Sequence, residues 1–365
     1  MLCDINILYL ARSSLISNYF TIRIDQFPSA YPYKMVANTK KRRTGDMNYS
    51  EFLDYVKSSI IKILGKEKNV NISKILKTND IEYDALTITD DISNISPTIY
   101  LNQYYDDYKN GKSLGDIIHE IFSLYEEHSN ELEFDIELFK NFQNISSHIV
   151  YKVINAKKNM RLLNDIPHVL NMDLALVFYC IIDSDYLGSA TALIHNSHMD
   201  MWNVTTEDIV KVSYQNTPRI LPAEIRNMND IIREMFASDL QRQQIEGKIP
   251  MDISVEDEAD KILDTLNMAN KPVEMYVLTN SQKMYGAACI FYKNVLKDFA
   301  EKVKSDLYIL PSSVHEVILV PIVEGLLKNE LSLMVQDVNR EEVTDSEVLS
   351  NHVYIYKRNI DKIVT

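Results

Sequence analysis

Nine consecutive residues, Leu174–Ile182 (LALVFYCII), carry no charge and are rich in β-branched and aromatic types. A run of this length is too short to span a bilayer, which needs roughly 20 apolar residues. It reads as a central β-strand with both faces buried, which requires neighbouring strands and covering layers. The chain supplies candidates. "HIVYKVI" (148–154) reads as a strand and "AKKNMRLLN" (156–164) as a helix. "GSATALIHN" (188–196) is a strand returning across a turn at "DSDYLG" (183–188). "TTEDIVKVSYQNT" (205–217) is a helix with Thr205 as N-cap and Asp208 at the third position.

The same order recurs further on. "VEMYVLT" (273–279) reads as a strand. "GAACIFYKNVLKDFAEKVK" (286–304) is a long helix with Ala288, Phe291, Val295, Phe299 and Val303 on its apolar stripe. "DLYIL" (306–310) and "VHEVILVP" (314–321) are strands, "VEGLLKNELSLMVQDV" (323–338) a helix and "HVYIYKR" (352–358) a closing strand. The expected fold class is therefore α+β, with mixed, mostly antiparallel sheets covered by helices. The order admits two β-α-β-β-α units, residues 146–236 and 272–365, joined by an acidic connection over 237–271. Residues 47–145 form an N-terminal α+β part. It starts at the capping-box spacing Asn48–Glu51, continues into an amphipathic helix, and goes on to the strands "NVNISKI" and "YDALTIT" around an Asn79–Asp80 turn. Residues 1–46 differ: seven basic residues against three acidic ones, in a chain whose net charge is −14. They read as a poorly ordered basic extension, with the folded part starting at Met47.

The overall negative charge argues against a general affinity for nucleic acid, whose phosphates need a basic face. No apolar run reaches 18 residues, so no membrane partner is expected. Three isolated cysteines without a CxxC pair suit a reducing cytoplasm and no thiolate zinc site.

Three stretches, "SPTIYLNQYYDDYKNG" (96–111), "NSHMDMWNVTTEDIV" (196–210) and "LPSSVHEVILVP" (310–321), together resemble the bacterial family known as domain of unknown function 5688. The likeness extends over about residues 47–358. In its strand-helix-strand-strand layout the C-terminal part is also similar to the uncharacterised YtpQ-like proteins. Neither resemblance implies an activity, so neither carries a catalytic residue onto this chain.

Candidate chemistry is sparse. Ser313 and His315 share a face of a regular strand, whereas His315 and Glu316 point to opposite faces. There is no G-x-S-x-G elbow and no evident third group to orient the histidine. His195, His198 and Asp200 lie within six residues and offer two imidazoles and a carboxylate to a metal, but a further ligand is needed from elsewhere. "IHEIF" (118–122) lacks the second histidine of a zincin, since Ser123 stands there. "TNSQKMYG" (279–286) has no Walker or Rossmann pattern. The expectation is a cytoplasmic binding or protein-interaction module with an unidentified protein partner and no cofactor. The alternative is a metal-dependent or Ser/His hydrolase using the His195–Asp200 loop or Ser313 and His315.

Overall fold

The structure is a computed structural model that describes residues 47–65, 68–89, 98–129, 139–182, 190–269, 273–311 and 313–365. The basic extension expected over 1–46 and the turn expected at 183–188 lie outside the described residues. The chain divides into two compact units at residues 140 and 141, and each is described by itself.

In the first unit, helix α1 (Tyr49–Leu64) starts at Asn48, whose side chain accepts from the Glu51 N–H while Glu51 reaches back to the Asn48 N–H. This is the reciprocal capping box that its spacing predicts. Phe52, Val56 and Ile60 on its inner stripe are fully buried, each worth about 1.5–3 kcal/mol of transfer free energy. They pack on the sheet β1 (Asn69–Leu76), β2 (Glu82–Thr89) and β3 (Ile99–Tyr100). Asn79 and Asp80 make the β1–β2 turn with positive φ, a conformation short polar side chains tolerate. Helices α2 (Asn102–Lys109) and α3 (Leu114–Ser129) follow; Ser113 caps α3 through the Asp116 N–H.

Among its described residues the second unit holds two open sheets. The smaller has β4 (Ile149–Asn155), β5 (His168–Asn171), β6 (Leu174–Ile182) and β7 (Ala190–Leu193). Strand β6 is the central run read from the sequence, with β4 on one side and β5 and β7 end to end on the other. Helices α4 (Asn196–Trp202) and α5 (Thr206–Ile220) follow. Helix α5 lies along the outer edge of β4 and satisfies it: the buried Thr217 hydroxyl accepts from the Tyr151 N–H at 3.0 Å. Asn216 donates to the carbonyls of Ser146 and Ile149 at 2.8 and 3.0 Å. Such side-chain cover closes an edge that would otherwise present unpaired backbone groups.

The larger sheet starts with β8 (Ala223–Asn227), a strand the sequence reading did not identify. Helices α6 (Met228–Ile245) and α7 (Val255–Ala269) follow it and pack on each other before β9 (Tyr276–Asn280) returns to pair with β8. A buried 3-10 segment, Gly286–Phe291, then precedes α8 (Val295–Val303). The single helix expected over 286–304 is thus broken. Asn294 is in the left-handed region, and Ala287–Ile290 are all buried, so no amphipathic stripe exists there. Strands β10 (Leu307–Leu310) and β11 (Val317–Pro321), helix α9 (Lys328–Glu341), β12 (Tyr354–Lys357) and β13 (Lys362–Val364) complete the order β13-β12-β10-β11-β9-β8. Alternation along the strands puts Val277, Tyr308, Leu310 and Val320 on the face covered by α6 and α9. All pairings among the described strands are antiparallel, so the fold is α+β. The 3-10 segment contacts both β9 and β4 and so fills the seam between the two sheets of this unit.

Candidate functional site

The seam gathers most of the chemistry of the second unit. Its shape starts with Asn280, fully buried at the end of β9. The Asn280 carboxamide oxygen accepts from the N–H groups of Gln282 and Met284, and its nitrogen donates to the Met284 carbonyl. This Asx-type knot folds residues 281–285 tightly back. The loop holds Lys283 and Tyr285 at φ +54° and +56°, a conformation that is costly for a bulky L-residue and is often kept at functional positions. Gly286 follows at a point of close backbone approach. A Cβ there would lie 2.6 Å from the His315 carbonyl oxygen and 2.7 Å from the Asn280 nitrogen.

Tyr285 is the centre of the cluster. Its ring stacks on His315 with centroids 5.5 Å apart and meets Tyr179 of β6 edge-on at 5.5 Å. The Lys152 ammonium, from β4, sits 4.0 Å from the centroid of the same ring and 5.8 Å from that of Tyr179. Lys152 is half-buried and makes no ion pair among the described residues. The Tyr179 hydroxyl is completely buried and has no hydrogen-bond partner among the described residues, and the same holds for Tyr151. Burial pushes both phenols well above their ordinary range. Nearby Cys289 donates to the Thr279 carbonyl, and burial raises its thiol to about 12, so it is not a thiolate nucleophile at neutral pH.

The two residues singled out in the string Ser313–His315 meet here, in an arrangement different from a strand. The regular strand expected from Val314 begins only at Val317. Upstream, Ser313 bridges to Val348 and the Val314 N–H donates to the Glu347 carbonyl at 2.9 Å, so this stretch pairs with the 347–348 segment and bends. The imidazole of His315 is engaged at both nitrogens: Nδ1 accepts from the Tyr285 N–H at 3.3 Å, and Nε2 faces the Glu347 carboxylate at 3.5 Å. Nδ1 therefore bears the lone pair and Nε2 the proton. Ser313 Oγ accepts from the His315 N–H at 2.9 Å, and Glu316 follows in the chain. Burial raises the Glu316 carboxyl above its usual range. Burial acts in the same direction on Glu347, but hydrogen bonds from His315 and Thr344 and the attraction of the His315 ring outweigh it and hold this carboxyl low.

The His195–Asp200 stretch lies elsewhere in the unit. His195 is the N-cap of α4; its Nδ1 contacts the Asp165 carboxylate at 2.6 Å, and its N–H donates to His198 Nδ1 at 3.1 Å. The two rings meet edge-on, and His198 lies beside Trp202. Burial first, then the neighbouring His195, holds His198 below the usual histidine range. Asp200 is exposed on the same helix and bonds neither ring. Among the described residues no three His, Cys, Asp or Glu side chains are grouped so as to hold a metal ion. A cleft of about 520 Å³ is lined by Lys297, Glu301, Asp306 and the segment 356–359, and two of its lining residues, Lys357 and Asp306, pair with each other.

Lys152, Tyr179, Tyr285 and Glu347 escaped the sequence reading. One signal was present: Lys152 is the only charge in strand β4. Nothing in the string around His315 points to Glu347, which arrives from beyond α9.

The fold and the seam define an α+β protein of open antiparallel sheets with a polar, aromatic-lined junction. The model of a family of unknown function, DUF5688, matches residues 49–358, and the chain belongs to that family. That match does not show the similarity to the YtpQ-like proteins. No curated protein and no solved structure matches the chain. No helix among the described residues is long and apolar enough to cross a membrane.

Proposed function

We propose that the protein is a binding module and that the seam around Tyr285 receives an anionic group. One observation carries this reading: the Lys152 ammonium sits over the Tyr285 ring, beside Tyr179, and has no anionic partner among the described residues. A half-buried ammonium without a counter-ion gains charge-assisted hydrogen bonds from an anion, roughly twice as strong as neutral ones. Lys152, Tyr285, His315 and Glu347 all retain some exposure, so these four side chains are reachable from solvent. The alternative, a serine hydrolase, fits the hydrogen bonding less well. A general base needs a lone pair directed at the nucleophile. The lone pair of His315 is taken by the Tyr285 N–H, and Ser313 Oγ accepts from the His315 backbone N–H instead of meeting the ring.

Thermal unfolding in phosphate, sulfate and citrate, against chloride at equal ionic strength, tests the reading. A site filled at ten times its dissociation constant adds about 1.4 kcal/mol of stability. We expect one of these anions to raise Tm and the Lys152→Met variant to lose that increment. An increment absent in the wild type, or retained in the variant, refutes the proposal. Hydrolysis of an activated ester that depends on both Ser313 and His315 establishes the alternative instead.

A further inference from the structure

The two helices inserted between β8 and β9 do more than connect them. Along α6 the buried residues are Met228, Ile231, Ile232 and Met235, all in its first half. The remaining turns and the start of α7 leave the core as a two-helix arm. Its tip is ordered by Gln244, whose side chain donates to the carbonyls of Pro250 and Ile253 at 3.0 and 2.8 Å. This knot displays three apolar side chains: Ile245 at 78% exposure, Met251 at 75% and Ile253 at 39%. Apolar residues clustered on a protrusion, instead of scattered singly, mark an interaction surface.

The charges around the tip select the partner. Each basic residue of the arm is matched: Arg233 by Asp260, Arg242 by Asp239, Lys248 by Glu246 and Lys261 by Glu258. Asp252, Glu256 and Asp257 are exposed and have no ion-pair partner among the described residues. The tip therefore offers an apolar contact beside uncompensated negative charge. A second copy of the arm brings the same charges and is repelled, and an anionic lipid surface is repelled likewise. We infer that the arm tip docks a basic amphipathic helix of a partner protein, with Ile245, Met251 and Ile253 against its apolar stripe and the three carboxylates facing its Lys and Arg residues. This inference is independent of the ligand proposed for the seam.

A fluorescein-labelled synthetic helix of Leu and Lys, with its Leu–Glu counterpart as control, tests this by anisotropy on the full chain. We expect the basic peptide to bind and the acidic one not to bind, with affinity falling as salt is raised. The triple variant Ile245→Ser, Met251→Ser, Ile253→Ser weakens binding at least tenfold, and so does Asp252→Asn, Glu256→Gln, Asp257→Asn. Both variants keep the wild-type circular dichroism, so a loss of binding is not a loss of folding. Lys152→Met leaves the affinity unchanged. The inference is overturned if the basic peptide does not bind, if the acidic peptide binds equally, or if either triple variant retains wild-type affinity. Self-association or phosphatidylserine-vesicle binding that the apolar triple variant abolishes also overturns it, by assigning the tip to a different occupant.

Discussion

Gly286→Ala isolates the steric demand at the seam. The φ of Gly286 lies outside the positive range, so alanine meets no backbone penalty there, and the cost comes from space alone. The added Cβ would stand 2.2 Å from Thr279 Oγ1, 2.6 Å from the His315 carbonyl oxygen and 2.7 Å from the Asn280 nitrogen. Thr279 can rotate away by giving up its 2.8 Å bond to the same carbonyl, a loss of about 1 kcal/mol. The two backbone atoms cannot. Asn280 ends β9, and His315 lies just ahead of β11, which is paired with β9 from Val317 to Leu319. Forcing them apart strains that ladder by about 1–3 kcal/mol. The total expected is about 2–4 kcal/mol. Urea unfolding followed by Trp202, the only tryptophan and a member of this unit, reads it directly. The midpoint should fall with the slope unchanged. Thr279→Ala in the Gly286→Ala background should restore less than half of the loss, because it removes only one of the three contacts. A destabilisation under about 0.5 kcal/mol, or a full rescue by Thr279→Ala, would refute the steric reasoning.

Two further outcomes are expected. Thr217→Val keeps the shape of the residue but leaves the wholly buried Tyr151 N–H unpaired; it should cost about 1–3 kcal/mol and speed hydrogen exchange at Tyr151, with Thr217→Ser restoring both. Asp173 accepts from Tyr354, Ser350 and His352. Burial pushes its carboxyl up, yet these hydrogen bonds prevail and hold it below its ordinary value. A carboxyl lowered on folding contributes stability that is present above about pH 4 and lost as pH falls through its folded value. Asp173→Asn should therefore be less stable at pH 7 and show a flatter acid limb below pH 4 in denaturant titrations.

Local chemistry was the legible part of this sequence. Asn48 with Glu51 and Thr205 with Asp208 announce their helices because capping depends only on residues three apart. Leu174–Ile182 announces a central strand because no other setting suits an uncharged run of that length. Strand β8 stayed hidden: the alternation in AEIRN rests on Ala223 and Ile225 alone, too short a signal to stand out, and its pairing with β9 makes it a strand. The helix expected over 286–304 failed for the opposite reason, since apolar residues enclosed on every side carry no period to read. At the seam, Ser313 and His315 drew attention as neighbours in the string. The residues that decide what they can do, Tyr285 and Glu347, come from segments 30 or more positions away, and no spacing rule reaches that far.

The insertion of α6 and α7 also bears on how the larger sheet assembles. Closing a flexible loop over residues 228–275 would cost about 3 kcal/mol of chain entropy before the first β8–β9 bond repaid any of it. Two helices that zip together through local contacts shorten that search and deliver the strand ends to each other. The arm then serves as a folding scaffold for the edge of the sheet, and changes at its outer end should alter how fast that edge forms far less than changes where the helices meet.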